Sequence, residues 1–85
     1  ILSNSWGGAK FNDPLMLDAI KRAEAKGVLV IFAAGNARRD MDVNPDYPSS
    51  FALPNMISVA ATDSKDEVAE FSNYGKKSVD LAAPG

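Results

Sequence analysis

Residues Val28-Leu29-Val30-Ile31-Phe32-Ala33-Ala34 form an unbroken apolar run that begins directly after a glycine. A strand with one wet face alternates apolar and polar residues. A run without alternation, rich in β-branched side chains, suits a strand covered on both faces, as in a parallel sheet. Parallel neighbours need a crossover, most often a helix. The preceding residues supply one. Asn12 or Asp13 is a good N-cap, and Pro14 suits the first helical position. Met16, Ala19, Ile20 and Ala23 recur at i, i+3, i+4 and i+7, which predicts a helix over Leu15–Lys26 with one apolar stripe. Asp18 and Arg22 form a favourable i,i+4 pair, and Gly27 is the C-terminal stop. Ile1 to Ser5 reads as a short strand entering a Gly7-Gly8 turn. Strand, helix and strand in that order predict one right-handed βαβ unit.

The polar, proline-bearing stretch from Gly35 to Pro54 reads as a long surface loop, and loops of that length are often functional. Met56 to Ala61 is a third strand of the buried type. Asp63 to Glu67 is a charged turn. Ala69–Ser72 and Val79–Ala82 read as short extended pieces around a Tyr74-Gly75 turn. The predicted class is α/β with a mostly parallel sheet. One helix cannot cover both faces of such a sheet. The sheet is therefore expected to continue in further chain or to pack on a partner.

Several chemistries are excluded by what is missing. The 85 residues contain no cysteine and no histidine. Disulfides, thiolate nucleophiles and the usual zinc sites are therefore out. So is a complete Ser–His–Asp triad within these residues, because its base is absent. A net charge of −2 disfavours nucleic acid, which rewards a clustered basic face. The longest apolar run, Val28 to Ala34, is too short to span a membrane. Asp40, Asp42, Asn44 and Asp46 alternate like the start of a calcium loop, but Pro45 stands where that loop needs glycine and Phe51 where it needs glutamate. No metal is assigned to these residues.

In open α/β sheets, ligands bind beyond the carboxyl ends of the strands. Ser5-Trp6-Gly7-Gly8 leaves the first strand there, and Ala33-Ala34-Gly35-Asn36 leaves the second. If the two strands are neighbours, both turns line one cleft. Glycine lets a ligand backbone approach closely. The Asn36 amide can donate two hydrogen bonds, which suits a developing oxyanion. The alternative is that both segments are ordinary turns and Trp6 is a packing residue. No dinucleotide or P-loop glycine pattern is present.

Six short segments, taken in order, resemble the subtilisin-like serine protease (subtilase) family. They are Ser3-Asn4-Ser5-Trp6-Gly7-Gly8, Ala33-Ala34-Gly35-Asn36, Tyr47-Pro48, Ile57-Ser58-Val59-Ala60-Ala61, Phe71-Ser72-Asn73-Tyr74-Gly75 and Asp80-Leu81-Ala82-Ala83-Pro84-Gly85. The resemblance implies the three-layer subtilisin-like fold. It also implies that residues 1–85 are a central part of a catalytic domain, without the flanks that bear the triad. Asn36 then matches the oxyanion-hole asparagine. Ser5-Trp6-Gly7 and Ala33-Ala34-Gly35 match the two walls of the S1 pocket, and Trp6 is larger than the residue often found there. Asp46 falls at the base of that pocket. It either points in and favours a basic side chain before the scissile bond (P1), or points to solvent. Tyr47-Pro48 matches a cis bond. Asp80 and the loop after Pro48 lie where some relatives hold a weak cation.

On this reading the parent is a serine endopeptidase and the 85 residues alone are inactive. Its partners are a peptide or protein substrate and either the rest of the catalytic domain or a second copy, met through exposed sheet. Neither nucleic acid nor a membrane span is expected. No cofactor belongs to this segment, and calcium is left to the full-length parent. The family resemblance implies an extracellular or cell-envelope location. The alternative is a non-catalytic subtilase-fold protein kept for peptide binding or as a scaffold.

Overall fold

The chain forms β1 (Leu2–Asn4), α1 (Pro14–Ala25), β2 (Val30–Ala33), β3 (Met56–Thr62) and β4 (Leu81–Pro84) in that order. A computed structural model describes all of it, Ile1–Gly85. Asp13 is the N-cap of α1, and its Oδ1 accepts from the Leu15 N–H at 2.9 Å. Gly27 ends the helix with φ 71°, and its N–H donates to the Glu24 carbonyl at 2.9 Å. Asp18 and Arg22 pair at 3.3 Å. The apolar stripe is rotated from the predicted one. Ile20 is its buried centre, flanked by Met16, Leu17 and Ala23, whereas Ala19 is exposed. Ala19 lies one residue, about 100°, from Ile20, so Leu17 takes its place on the buried face.

The sheet order is β1-β2-β3-β4 and every pairing is parallel. Leu2 stands opposite Val30, Val30 opposite Met56, and Val59 opposite Leu81. The α/β class with a parallel sheet therefore stands. Within residues 1–85 one face of β2 is covered and the other is open, which fits a sheet that one helix cannot cover by itself. Val30 and Phe32 are buried in a core with Ile20 and Phe51. Ile31 is half-buried and Ala33 exposed on the other face. The reason is that α1 and the loop bearing Phe51 meet in one core, so both cover the same side of the sheet.

Three further expectations need correction. The stretch from Gly35 to Pro54 has no helix or strand and is a surface loop only in part: residues 36–38 and 42–45 are exposed. Met41, Asp46, Pro48, Ser49 and Phe51 are buried. The Tyr47 and Phe51 rings pack 4.8 Å apart. Through Phe51 and Tyr47 this loop covers the same side of the sheet as α1. Ala69 to Ser72 is a turn rather than an extended piece, closed by the Ser72 N–H on the Ala69 carbonyl at 2.9 Å. Its Ser72 hydroxyl accepts from the Ala61 N–H at 2.9 Å, which replaces a strand partner for β3. β4 also starts later than expected. The Asp80 carboxylate accepts from the Ser58 N–H at 2.7 Å and so occupies the ladder position a strand carbonyl would take.

The alternating carboxylates of the loop go to separate places. Asp40 Oδ1 accepts from the Asp42 N–H at 3.0 Å. Asp42 reaches across to the turn after Gly75 and accepts from the N–H groups of Lys76 at 2.8 Å and Ser78 at 2.9 Å, and from the Ser78 hydroxyl. The Ser78 hydroxyl does most to hold the Asp42 carboxyl below its ordinary value of 3.8, opposed by desolvation and aided by the backbone N–H groups of Ser78, Lys77 and Lys76. The sign of the linkage follows. A carboxyl depressed in the folded state adds stability that is complete above the unfolded value and is lost as pH falls through the folded one. The melting temperature of the full-length protein is therefore expected to drop on acidification below about pH 4, and Asp42→Asn to flatten that drop. Thermal melts across that range check it; an equally steep profile in the variant would contradict this role for Asp42.

Candidate active-site cleft

β1 and β2 are adjacent and parallel, so the segments leaving their carboxyl ends run side by side. Between them lies a cleft of about 420 Å³. Ser5, Trp6 and Gly7 form one wall, and Ala33, Ala34 and Gly35 the other. Asn36 and Asp46 line the same space. All eight residues singled out from the sequence therefore meet in one place, although they come from three separate segments.

The far end is closed by backbone pairing. The Gly8 and Ala9 N–H groups donate to the Tyr47 carbonyl at 3.2 and 3.3 Å, and the Tyr47 N–H donates to the Ala9 carbonyl at 2.9 Å. The Tyr47-Pro48 bond is cis. Trp6 packs on the core and also lines the cleft. Its ring meets Phe32 edge-on at 5.8 Å, its Nε1 donates to Asn4 Oδ1 at 3.2 Å, and it stays 53% exposed along the wall. Asn36 is exposed and lines the cleft. An amide so placed can donate to charge that develops on a bound carbonyl oxygen.

Asp46 points inward. Its side chain is only 8% exposed, so the solvent-facing alternative is excluded. Its Oδ1 accepts from Lys10 Nζ at 2.6 Å and from Arg39 Nη1 at 3.1 Å. Its Oδ2 accepts from Asn73 Nδ2 at 3.3 Å. No group of three or more acidic side chains converges in a way that would hold a metal ion.

One residue of the site has no assigned role in the sequence reading. Asn73 is 0% exposed and brackets Asn36 on both sides. Its Oδ1 accepts from the N–H groups of Ala37 at 2.9 Å and Arg39 at 3.0 Å. Its Nδ2 donates to the Ala34 carbonyl at 2.9 Å, and its own N–H to the Gly35 carbonyl at 2.9 Å. The close approach also explains Gly35. That residue has φ 109°, and a Cβ there would sit 2.6 Å from Asn73 Nδ2. In sequence, Asn73 is one polar residue in a Phe-Ser-Asn-Tyr-Gly turn, and only that motif marked it.

Comparison with known proteins agrees with the geometry. The subtilase family model matches residues 1–85. The chain is 42% identical over 89 residues to subtilisin-like protease 2 of Plasmodium falciparum, covering 100% of this chain and 7% of that protein. It is 42% identical over 85 residues to thermitase of Thermoactinomyces vulgaris, covering 100% of this chain and 28% of that one. A protease structure from Pseudoalteromonas arctica superposes with a TM-score of 0.84 at 31% identity, over 98% of this chain and 23% of that one. The chain thus spans less than a third of the length of these relatives. No helix is long and apolar enough to cross a membrane. With the whole length matched in sequence, and nearly all of it in three dimensions, this chain belongs to the subtilase family of serine proteases.

Proposed function

We propose that these residues are the substrate-holding and oxyanion-binding part of a serine endopeptidase catalytic domain. In this reading Asn36 donates to the tetrahedral intermediate of peptide-bond hydrolysis. Ser5-Trp6-Gly7 and Ala33-Ala34-Gly35 hold the substrate side chain before the scissile bond, and an extended peptide adds along the exposed segment after β1. The nucleophile, its base and the orienting acid come from chain outside residues 1–85, so the segment alone is inactive. The uncovered sheet face, which carries Ile31, Ala33, Val59 and Ala61, packs against that remaining chain. The observation that supports the reading most is the convergence of both strand ends and Asn36 on one cleft. A location outside the cytoplasm follows relatives named as extracellular, although others are named as intracellular.

Hydrogen exchange on the full-length protease, with and without a peptide boronate that mimics the tetrahedral intermediate, tests this. Slowed exchange is expected at the amides of Ser5–Gly8 and Ala33–Ala37. Protection elsewhere but at neither segment would overturn the reading.

A further inference from the structure

A carboxylate at the base of a substrate pocket invites a basic side chain. The surroundings of Asp46 oppose that. Both of its oxygens are already engaged within this chain, by Lys10 and Arg39 on one and Asn73 on the other. Lys10 lines the cleft itself, so its ammonium stands where a substrate ammonium or guanidinium would have to go. Its side chain is 59% exposed, while that of Arg39 is 27% exposed and bonds the same oxygen without lining the cleft. Every other residue lining the cleft is uncharged. The three-charge cluster of Lys10, Arg39 and Asp46 carries a net formal charge of +1. An incoming cation would have to displace Lys10 and then share one carboxylate with Arg39. A buried charge that already has its partners offers little to a further cation, and like charges pressed together are unfavourable.

We propose that Lys10 and Arg39 are specificity-determining residues. By neutralising Asp46 they make the cleft select an uncharged side chain before the scissile bond and reject a basic one. The proposal rests on the cleft being the S1 pocket, as argued above. Lys10 is the adjustable element, because it is the exposed partner, and its loss uncovers part of the carboxylate.

The test uses the full-length protease and matched peptide substrates that differ only at P1, with arginine against citrulline, its uncharged isostere. The ratio of kcat/KM values for the two is independent of how much enzyme is folded. The native protease is expected to favour citrulline by at least about tenfold, the scale of one well-placed charge contact. Lys10→Met is expected to move the ratio toward arginine by a similar factor. Adding Asp46→Asn to Lys10→Met should abolish that movement. A native preference for arginine, or a ratio that Lys10→Met leaves unchanged, overturns the charge-masking proposal. Asn36→Ala separates this from failure of the underlying reading: it should slow both substrates equally, and if it slows neither, the assignment of the cleft fails and the proposal with it.

Discussion

Replacing Asn36 with alanine in the full-length protease is expected to lower kcat by about 10²–10³-fold and to leave KM nearly unchanged; the scale is the one set by subtilisin's own oxyanion asparagine. The split between the two constants carries the argument. A donor aimed at an oxygen that becomes charged only in the transition state contributes little to binding the ground state. Asn36 is suited to such a part because the segments around it are held while its own side chain is exposed to the cleft. Steady-state kinetics with the active fraction counted by titration would measure it. A rise in KM at constant kcat would instead mark Asn36 as a ground-state binding residue and remove it from the oxyanion role.

Asn73→Ala is expected to destabilise the full-length protein by roughly 3–5 kcal/mol, a large part of the 5–15 kcal/mol that typically holds a domain together. The substitution leaves the Ala34 carbonyl without its partner in a buried place, and the N–H groups of Ala37 and Arg39 without theirs in a partly buried one. Each such group costs about 1–3 kcal/mol, partly recovered if water enters the space. Asn73→Asp should not rescue it. It keeps the acceptor for Ala37 and Arg39 but sets a second carboxylate against Asp46 Oδ2, which now lies 3.3 Å from the Asn73 amide nitrogen. Combining Asn73→Asp with Asp46→Asn should recover part of the loss, because that pair restores one donor facing one acceptor. Urea or thermal unfolding of the two single variants and the double variant measures the coupling. Strict additivity would mean that the Asn73–Asp46 contact contributes nothing.

Much of this was readable without coordinates. The Asp13-Pro14 start and Gly27 stop of α1 depend on local backbone chemistry, as does the apolar run that becomes β2. The turn residues Gly7, Gly8 and Gly35 follow strands at the end where open α/β sheets bind ligands, which leaves ordinary turns as an equally open reading; the resemblance to the subtilase motifs is what singled out Asn36 and the two walls. The loop from Gly35 to Pro54 was not legible. Its polar composition signals exposure, yet Phe51 packs in the core with α1 and β2, and Met41 is buried against the Asn73 amide.

By itself, the sequence determined the helix, the first three strands and the glycine turns that leave two of them, because each depends on periodicity or on backbone freedom within a few residues; that those turns share one cleft follows from the pairing of β1 with β2. Only the tertiary structure decided the electrostatics of that cleft. Lys10 reaches Asp46 across 36 positions of chain, and Asn73 reaches the Asn36 segment from a similar distance. No local pattern encodes such meetings. They arise where three loops converge at the end of a parallel sheet, and they determine whether a buried aspartate meets a substrate cation or is already neutralised.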